Sequence, residues 1–149
     1  MSRNRAVTYD LKLGHIRSVA ASLFAANGFS RTSMAELARE CGVSKALLYH
    51  YFTSKEALLF DILEAYLENL QAALPTNPAD SDNARAHLRG LIHSLLVEYR
   101  QADNTHKLLL HDQAVLPEEQ QQILRQMEKA IVRHFSDALE NAAAAAGHP

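Results

Sequence analysis

The segment from residue 31 to 60, RTSMAELARECGVSKALLYHYFTSKEALLF, restricts what this chain can fold into more than any other stretch. Ser33 and Glu36, three places apart, form a capping box in which each side chain can satisfy a free N–H at a helix start. Met34, Leu37, Ala38 and Cys41 then share one face at helical spacing, so a short helix is predicted. Gly42 stands just past the last apolar position, where a left-handed residue is wanted, and Ser44 can cap a new helix two residues later. In that helix Leu48 and Phe52 are four apart and face inward, which turns Lys45, Ala46, Tyr49 and His50 outward. Thr53 and Glu56 make a second capping box, opening a longer helix with Lys55 in its first turn. Two short helices around a tight turn, with a third following, are the pattern of a helix-turn-helix, whose second helix enters the major groove of DNA.

Position assigns roles. Ser44, Lys45, Ala46 and Leu47 stand at the end of the recognition helix that enters the groove, so they are candidates for direct contact. Lys45 can donate to guanine, whereas Ala46 and Leu47 offer only apolar contact, to a thymine methyl for example. Thr32 and Ser33 precede a helix N-terminus, whose backbone donors suit a phosphate. Charge agrees with this division. Residues 1–60 carry eight Lys or Arg against four Asp or Glu, and residues 61–149 carry seven against thirteen. A basic N-terminal part suits phosphate contact, and an acidic remainder is repelled by it. Residues 1–12, with Arg3, Arg5 and Lys12 and no clear apolar pattern, read as a mobile basic arm able to reach adjacent phosphates or the minor groove.

The run GVSKALLYHYFTSKEALL, residues 42–59, resembles the signature of the TetR/AcrR family of bacterial transcriptional regulators, with TSMAELARECG in register before it. IRSVAASLFAANGFSRTS, residues 16–33, resembles the first helix of that family, ending in its usual Gly-Phe or Gly-Tyr. Between a third and two fifths of the chain is covered. The resemblance implies a dimer that binds a palindromic double-stranded operator, usually as a repressor, and releases it when a small molecule enters a C-terminal pocket. It also implies that Tyr49, His50 and Tyr51 match a segment of phosphate clamps and that Lys55 matches a phosphate-binding lysine. The chain departs from the pattern at Ala46 and Leu47, where members often carry Gly or Pro with Thr.

The expected fold is all-α, with seven helices and no alternating strand pattern. A helix-turn-helix domain is expected over residues 1–53. Residues 54–149 should supply a connecting helix to about residue 74, a breaker-rich linker over 75–81, and helices near 83–102, 105–115 and from Pro117 onward. Ile123, Met127, Ile131, Phe135 and Leu139 recur at four-residue steps in the last one. Family members usually have two further C-terminal helices that make most of the dimer interface, whereas this chain stops early in ENAAAAAGHP. Two recognition helices must sit about 34 to 36 Å apart to enter successive grooves, so a dimer is required. An exposed stripe of Ile131, Phe135 and Leu139 would suit that interface, although burial inside the monomer is the more common use of such a stripe. Given the resemblance, Leu91, Leu95, Tyr99, Leu109, His111, Met127 and Ile131 are placed near an effector cavity for a small hydrophobic ligand.

Other chemistries find little support. The single cysteine excludes an intramolecular disulfide framework and a cysteine-based zinc site, and Cys41 occupies an apolar position. Eight histidines invite a metal reading, but His87 and His93 are six apart and His106 and His111 five, not the four that align two imidazoles. No nucleophile elbow or glycine-rich phosphate loop is present, so neither catalytic residues nor a cofactor are expected. No run approaches the ~20 apolar residues of a membrane helix, nor is there a signal-peptide segment, which points to the cytoplasm. A helix-turn-helix that serves protein interaction, or a helical ligand-binding module without operator binding, is the competing reading.

Overall fold

The computed structural model describes residues 2–76 and 83–147, with side chains from residue 4 onward. Among these residues there are seven α-helices and no strand: α1 Ser2–Asn27, α2 Met34–Cys41, α3 Lys45–Tyr51, α4 Lys55–Ala73, α5 Ala84–Gln101, α6 Asp103–His111 and α7 Glu118–Ala145, with a 3-10 turn at Gln113–Val115. The chain divides into two compact units. The first contains residues 1–63 and 104–117, and the second residues 64–103 and 118–149.

The first unit is built as the caps and apolar spacing require. Ser33 Oγ accepts from the Glu36 N–H at 3.1 Å, and Ser44 Oγ accepts from the Leu47 N–H at 3.0 Å. Between them α2 ends in a Schellman turn. Gly42 takes the left-handed conformation at φ 69°, its N–H donates to the Arg39 carbonyl, and the Val43 N–H donates to that of Ala38. Met34, Leu37, Ala38 and Cys41 are all buried, as are Leu48 and Phe52. Ile16, Ala20, Ala21, Phe24 and Phe29 supply the opposing wall from α1 and the turn after it. Arg17 of α1 grips Asp61 of α4 through two parallel bonds, Nε to Oδ2 at 2.6 Å and Nη2 to Oδ1 at 3.2 Å. α6 carries Leu108 and Leu109 into burial, and Asn104 Nδ2 approaches Ser22 Oγ of α1 at 3.5 Å.

In the second unit α5 packs on α7. Leu91 on α5 and Leu124, Ile131 and Ala138 on α7 are buried, together with Tyr66, Leu67 and Leu70 of α4. Burial holds the Tyr66 hydroxyl well above the ordinary tyrosine range, reinforced by Tyr99 and Glu98, and burial with Glu128 raises Tyr99 as well.

Four expectations are corrected. Residues 2–12 are the opening turns of α1, not an arm. No glycine or proline interrupts residues 2–13, Thr8 Oγ1 donates to the Asn4 carbonyl, and Tyr9 rests on Tyr51 at 5.2 Å between ring centroids, so a tertiary contact supports the helix. The cap of α4 is Ser54, which accepts from the Ala57 N–H at 3.1 Å, rather than Thr53, because Phe52 is still the buried C-cap of α3. The helix expected over 105–115 starts earlier and stops at His111, the 3-10 turn leading separately to Pro117. The interface stripe on α7 is broken: Ile131 is buried and Phe135 half-buried, leaving only Leu139 of the three exposed, because consecutive four-residue steps drift around a 3.6-residue helix. The linker over 75–81 lies largely outside the described residues, Pro75 and Thr76 excepted.

Two outcomes follow from this geometry. Gly42→Ala forces a Cβ into the left-handed region and should lower unfolding free energy by about 1–2 kcal/mol, whereas Gly14→Ala, inside α1 with open space around its Cβ position, should raise it by about 0.5–1 kcal/mol. Urea unfolding of both variants checks the opposite signs. The raised Tyr66 and Tyr99 favour their protonated forms in the folded state. Stability from that source is therefore fully present below the ordinary tyrosine value of about 10 and falls as pH rises beyond it. Replacing both by Phe should flatten that alkaline fall in thermal unfolding measured against pH.

Candidate nucleic-acid interface

Only seven residues long, α3 is held by what it buries. Leu48 is fully buried and Phe52, its C-cap, nearly so, and the remaining face is left to solvent. Lys45, Ala46, Tyr49 and His50 are exposed, Leu47 and Tyr51 are half-buried, and Ser44 spends its acceptor on the Leu47 N–H. Tyr49 keeps 44% of its surface accessible, so its ring and hydroxyl are open to contact outside the chain.

Beside α3 lies a shallow depression of about 390 Å³, lined among others by Ser33, Met34, Lys45, Tyr49, Ser54 and Lys55. Two helix N-termini open onto it, those of α2 and α4, each with unpaired N–H groups and the positive end of its dipole. Two lysines, Lys45 and Lys55, and Tyr49 line the same place, together with one carboxylate, that of Glu56. Such a surface attracts an anion with fixed geometry, which a backbone phosphate satisfies.

Lys55 has a second engagement that the sequence did not show. Its Nζ donates to the Phe29 carbonyl at 2.8 Å and lies 4.5 Å from the centre of the Phe29 ring. One ammonium thus ties the turn between α1 and α2 to the start of α4, with further N–H groups still to offer. Thr32 is corrected more strongly. It is 1% exposed, and its Oγ1 donates to the Gly28 carbonyl at 2.9 Å, so its side chain shapes the turn and does not reach a phosphate. Ser33 is exposed beside it, its oxygen accepting from Glu36 while its hydroxyl hydrogen stays available. The bidentate Arg17–Asp61 pair, which positions α1 against α4, was missed as well, since residues 44 apart give no local signal.

The residues expected near an effector cavity are divided. Leu91, Leu95, Tyr99, Met127 and Ile131 belong to the second unit, on α5 and α7, Leu91 and Ile131 buried and the other three half-buried. Leu109 and His111 fall in the first unit, Leu109 buried and His111 exposed. Cys41 is buried, and burial followed by the neighbouring Glu40 raises its thiol, away from reactivity. Among the described residues no group of three or more His, Cys, Asp or Glu is placed to hold a metal ion. No described helix is long and apolar enough to cross a membrane.

Residues 16–62, spanning most of α1 to the middle of α4, match the family model described as bacterial regulatory proteins, tetR family. The chain is 32% identical over 88 residues to the HTH-type transcriptional repressor KstR2 of Rhodococcus jostii (strain RHA1), an alignment that covers 59% of this chain and 42% of that protein. The chain thus spans less than half the length of that relative. A TetR-family regulator from Bordetella parapertussis 12822 superposes with a TM-score of 0.73 at 31% identity, covering 85% of this chain and 66% of that one. AibR, crystallised with isovaleryl coenzyme A and operator DNA, superposes at 0.73 with 26% identity, covering 89% of this chain and 72% of that one. Through the matched segment, residues 16–62, the chain belongs to the TetR family of bacterial regulatory proteins.

Proposed function

We propose that this protein is a sequence-specific transcriptional regulator of the cytoplasm that binds a palindromic operator as a homodimer, most simply as a repressor released by a small hydrophobic effector. The observation that carries the reading is the convergence of Lys45, Tyr49 and Lys55 with the N-termini of α2 and α4 on one depression beside the exposed face of α3. Lys45 and Ala46 read base edges. Tyr49, His50, Ser33 and Lys55 hold phosphates. Tyr51, half-buried, supports the end of α3 through Tyr9 and adds to the clamp. The effector is placed in the second unit among Leu95, Tyr99 and Met127, whose half-buried surfaces on α5 and α7 suit an apolar or acyl-type ligand. AibR, crystallised with isovaleryl coenzyme A and operator DNA, and KstR2, named a repressor, support both halves of the reading by analogy.

Selection of bound sequences from a random duplex pool at fixed salt, with the mass of the complex determined on the selected site, tests this function. A palindrome carrying two chains is expected. Failure to enrich any sequence would favour the interaction-module reading. Lys45→Ala should change which bases are preferred. Lys55→Ala should weaken binding to all sequences, lowering the slope of log affinity against log salt by about 0.9. Because Lys55 also holds the Phe29 turn, that variant should lose about 1 kcal/mol of stability, which urea unfolding would record. Equal changes in base preference from both variants would overturn the division of roles.

A further inference from the structure

The turn between α1 and α2 presents a charge that the depression beside α3 does not use. Of the three arginines in residues 13–60, Arg17 grips Asp61 and Arg39 lies 3.8 Å from Glu40. Arg31 is exposed, and among the described residues its guanidinium makes no hydrogen bond or ion pair. It stands inside a β-turn in which the Thr32 N–H donates to the Phe29 carbonyl at 3.3 Å. The same carbonyl accepts from Lys55 Nζ at 2.8 Å, and Thr32 Oγ1 donates to the Gly28 carbonyl at 2.9 Å. Phe29 and Thr32 are both buried. The turn is therefore pinned at both ends, and Ser30 and Arg31 form its exposed tip.

That tip borders the anion-binding depression. Lys55, which holds Phe29, and Ser33, two residues past Arg31, both line it, as do Lys45 and Tyr49 of α3. Resting on the operator-binding reading, we propose that Arg31 enters the minor groove beside each half-site and gives the protein a preference for A·T-rich flanks. With α3 in the major groove, a phosphate in the depression belongs to the backbone strand at that groove's edge, and the minor groove lies across the strand. Arg31 enters α2 from the α1 side, and α2 packs on both α1 and α3. Two residues span at most about 7 Å and the minor groove is about 6 Å wide, so a long side chain based at the tip reaches from the Ser33 phosphate into the groove. A narrow A·T groove concentrates negative potential and presents only acceptors, whereas a G·C pair adds a donor that opposes a cation. A guanidinium is more weakly hydrated than an ammonium, so it enters such a groove at lower cost. The pinned turn has little backbone freedom to lose on binding, which leaves more of the contact energy as affinity.

The test uses the full chain and three duplexes that keep the selected half-sites and differ in the roughly five base pairs adjoining each, half a helical turn. These are A·T, G·C, or inosine·C pairs, which lack the guanine 2-amino group. The unaltered chain should bind the A·T and inosine·C duplexes alike and the G·C duplex at least about fivefold more weakly. Arg31→Ala should bind all three alike, with the slope of log affinity against log salt lowered by about 0.9. Arg31→Lys should keep the slope and lose most of the flank preference, and Arg39→Ala should alter neither. Arg31 is exposed, so the fold is expected to survive, and circular dichroism verifies this. A flank preference that persists in Arg31→Ala would overturn the assignment. Equal binding of the three duplexes by the unaltered chain would overturn it too, while leaving operator binding intact. Failure of the unaltered chain to bind any duplex would overturn both.

Discussion

Everything in the DNA-facing unit depends on how three residues, Gly42, Val43 and Ser44, end one helix and begin another. At a helix end four carbonyls lack partners, and at a helix start four N–H groups do. Here the Schellman bonds of Gly42 and Val43 satisfy the first set and Ser44 begins on the second, so no additional loop is needed. The short connection fixes the angle between α2 and α3. With that angle fixed, Leu37 and Leu48 are both completely buried, and the opposite face of α3 has nowhere to point but outward. A seven-residue helix is too short to persist in water by its own hydrogen bonds. The burial of Leu48 and Phe52, each of which contributes about 1.5–3 kcal/mol, is what keeps it formed.

The surroundings convert this local geometry into an anion-binding surface. Phe29 closes the turn after α1, Thr32 pins that turn to the Gly28 carbonyl, and Lys55 reaches from α4 to the Phe29 carbonyl and ring. The Arg17–Asp61 fork joins the same two helices again, within α1 and two turns into α4. Both groups are about a third exposed, so solvent screens the pair and its main effect is on geometry rather than stability. Between them these contacts bring the N-termini of α2 and α4 to one depression. The positive ends of two helices and two lysines outnumber the one carboxylate there, Glu56, so the surface favours a phosphate.

The second unit follows different rules. Its core is a long apolar stripe of α7 against α5, and its polar feature is a pair of tyrosines, Tyr66 and Tyr99, near Glu98 and Glu128. The exposed Leu96 and Val132 show that α5 and α7 keep apolar surface beyond what their mutual packing covers.

The caps at Ser33 and Ser44, the left-handed Gly42, the buried set Met34, Leu37, Ala38, Cys41, Leu48 and Phe52, and the outward Lys45, Tyr49 and His50 were all legible in the chain. Each depends on residues within about five positions of one another, where helical periodicity and capping chemistry act directly. The family came from a resemblance of residues 16–33 and 42–59 to its signature, not from periodicity. Local reasoning could not show that Thr32 is buried, that Ser54 caps α4, that Lys55 holds Phe29, or that residues 2–12 continue α1 onto Tyr51. Those outcomes depend on which distant side chains meet: Arg17 with Asp61, Lys55 with Phe29, Tyr9 with Tyr51. Local periodicity determines which face of a helix is apolar, but only packing in three dimensions decides what that face, and the charges beside it, will touch.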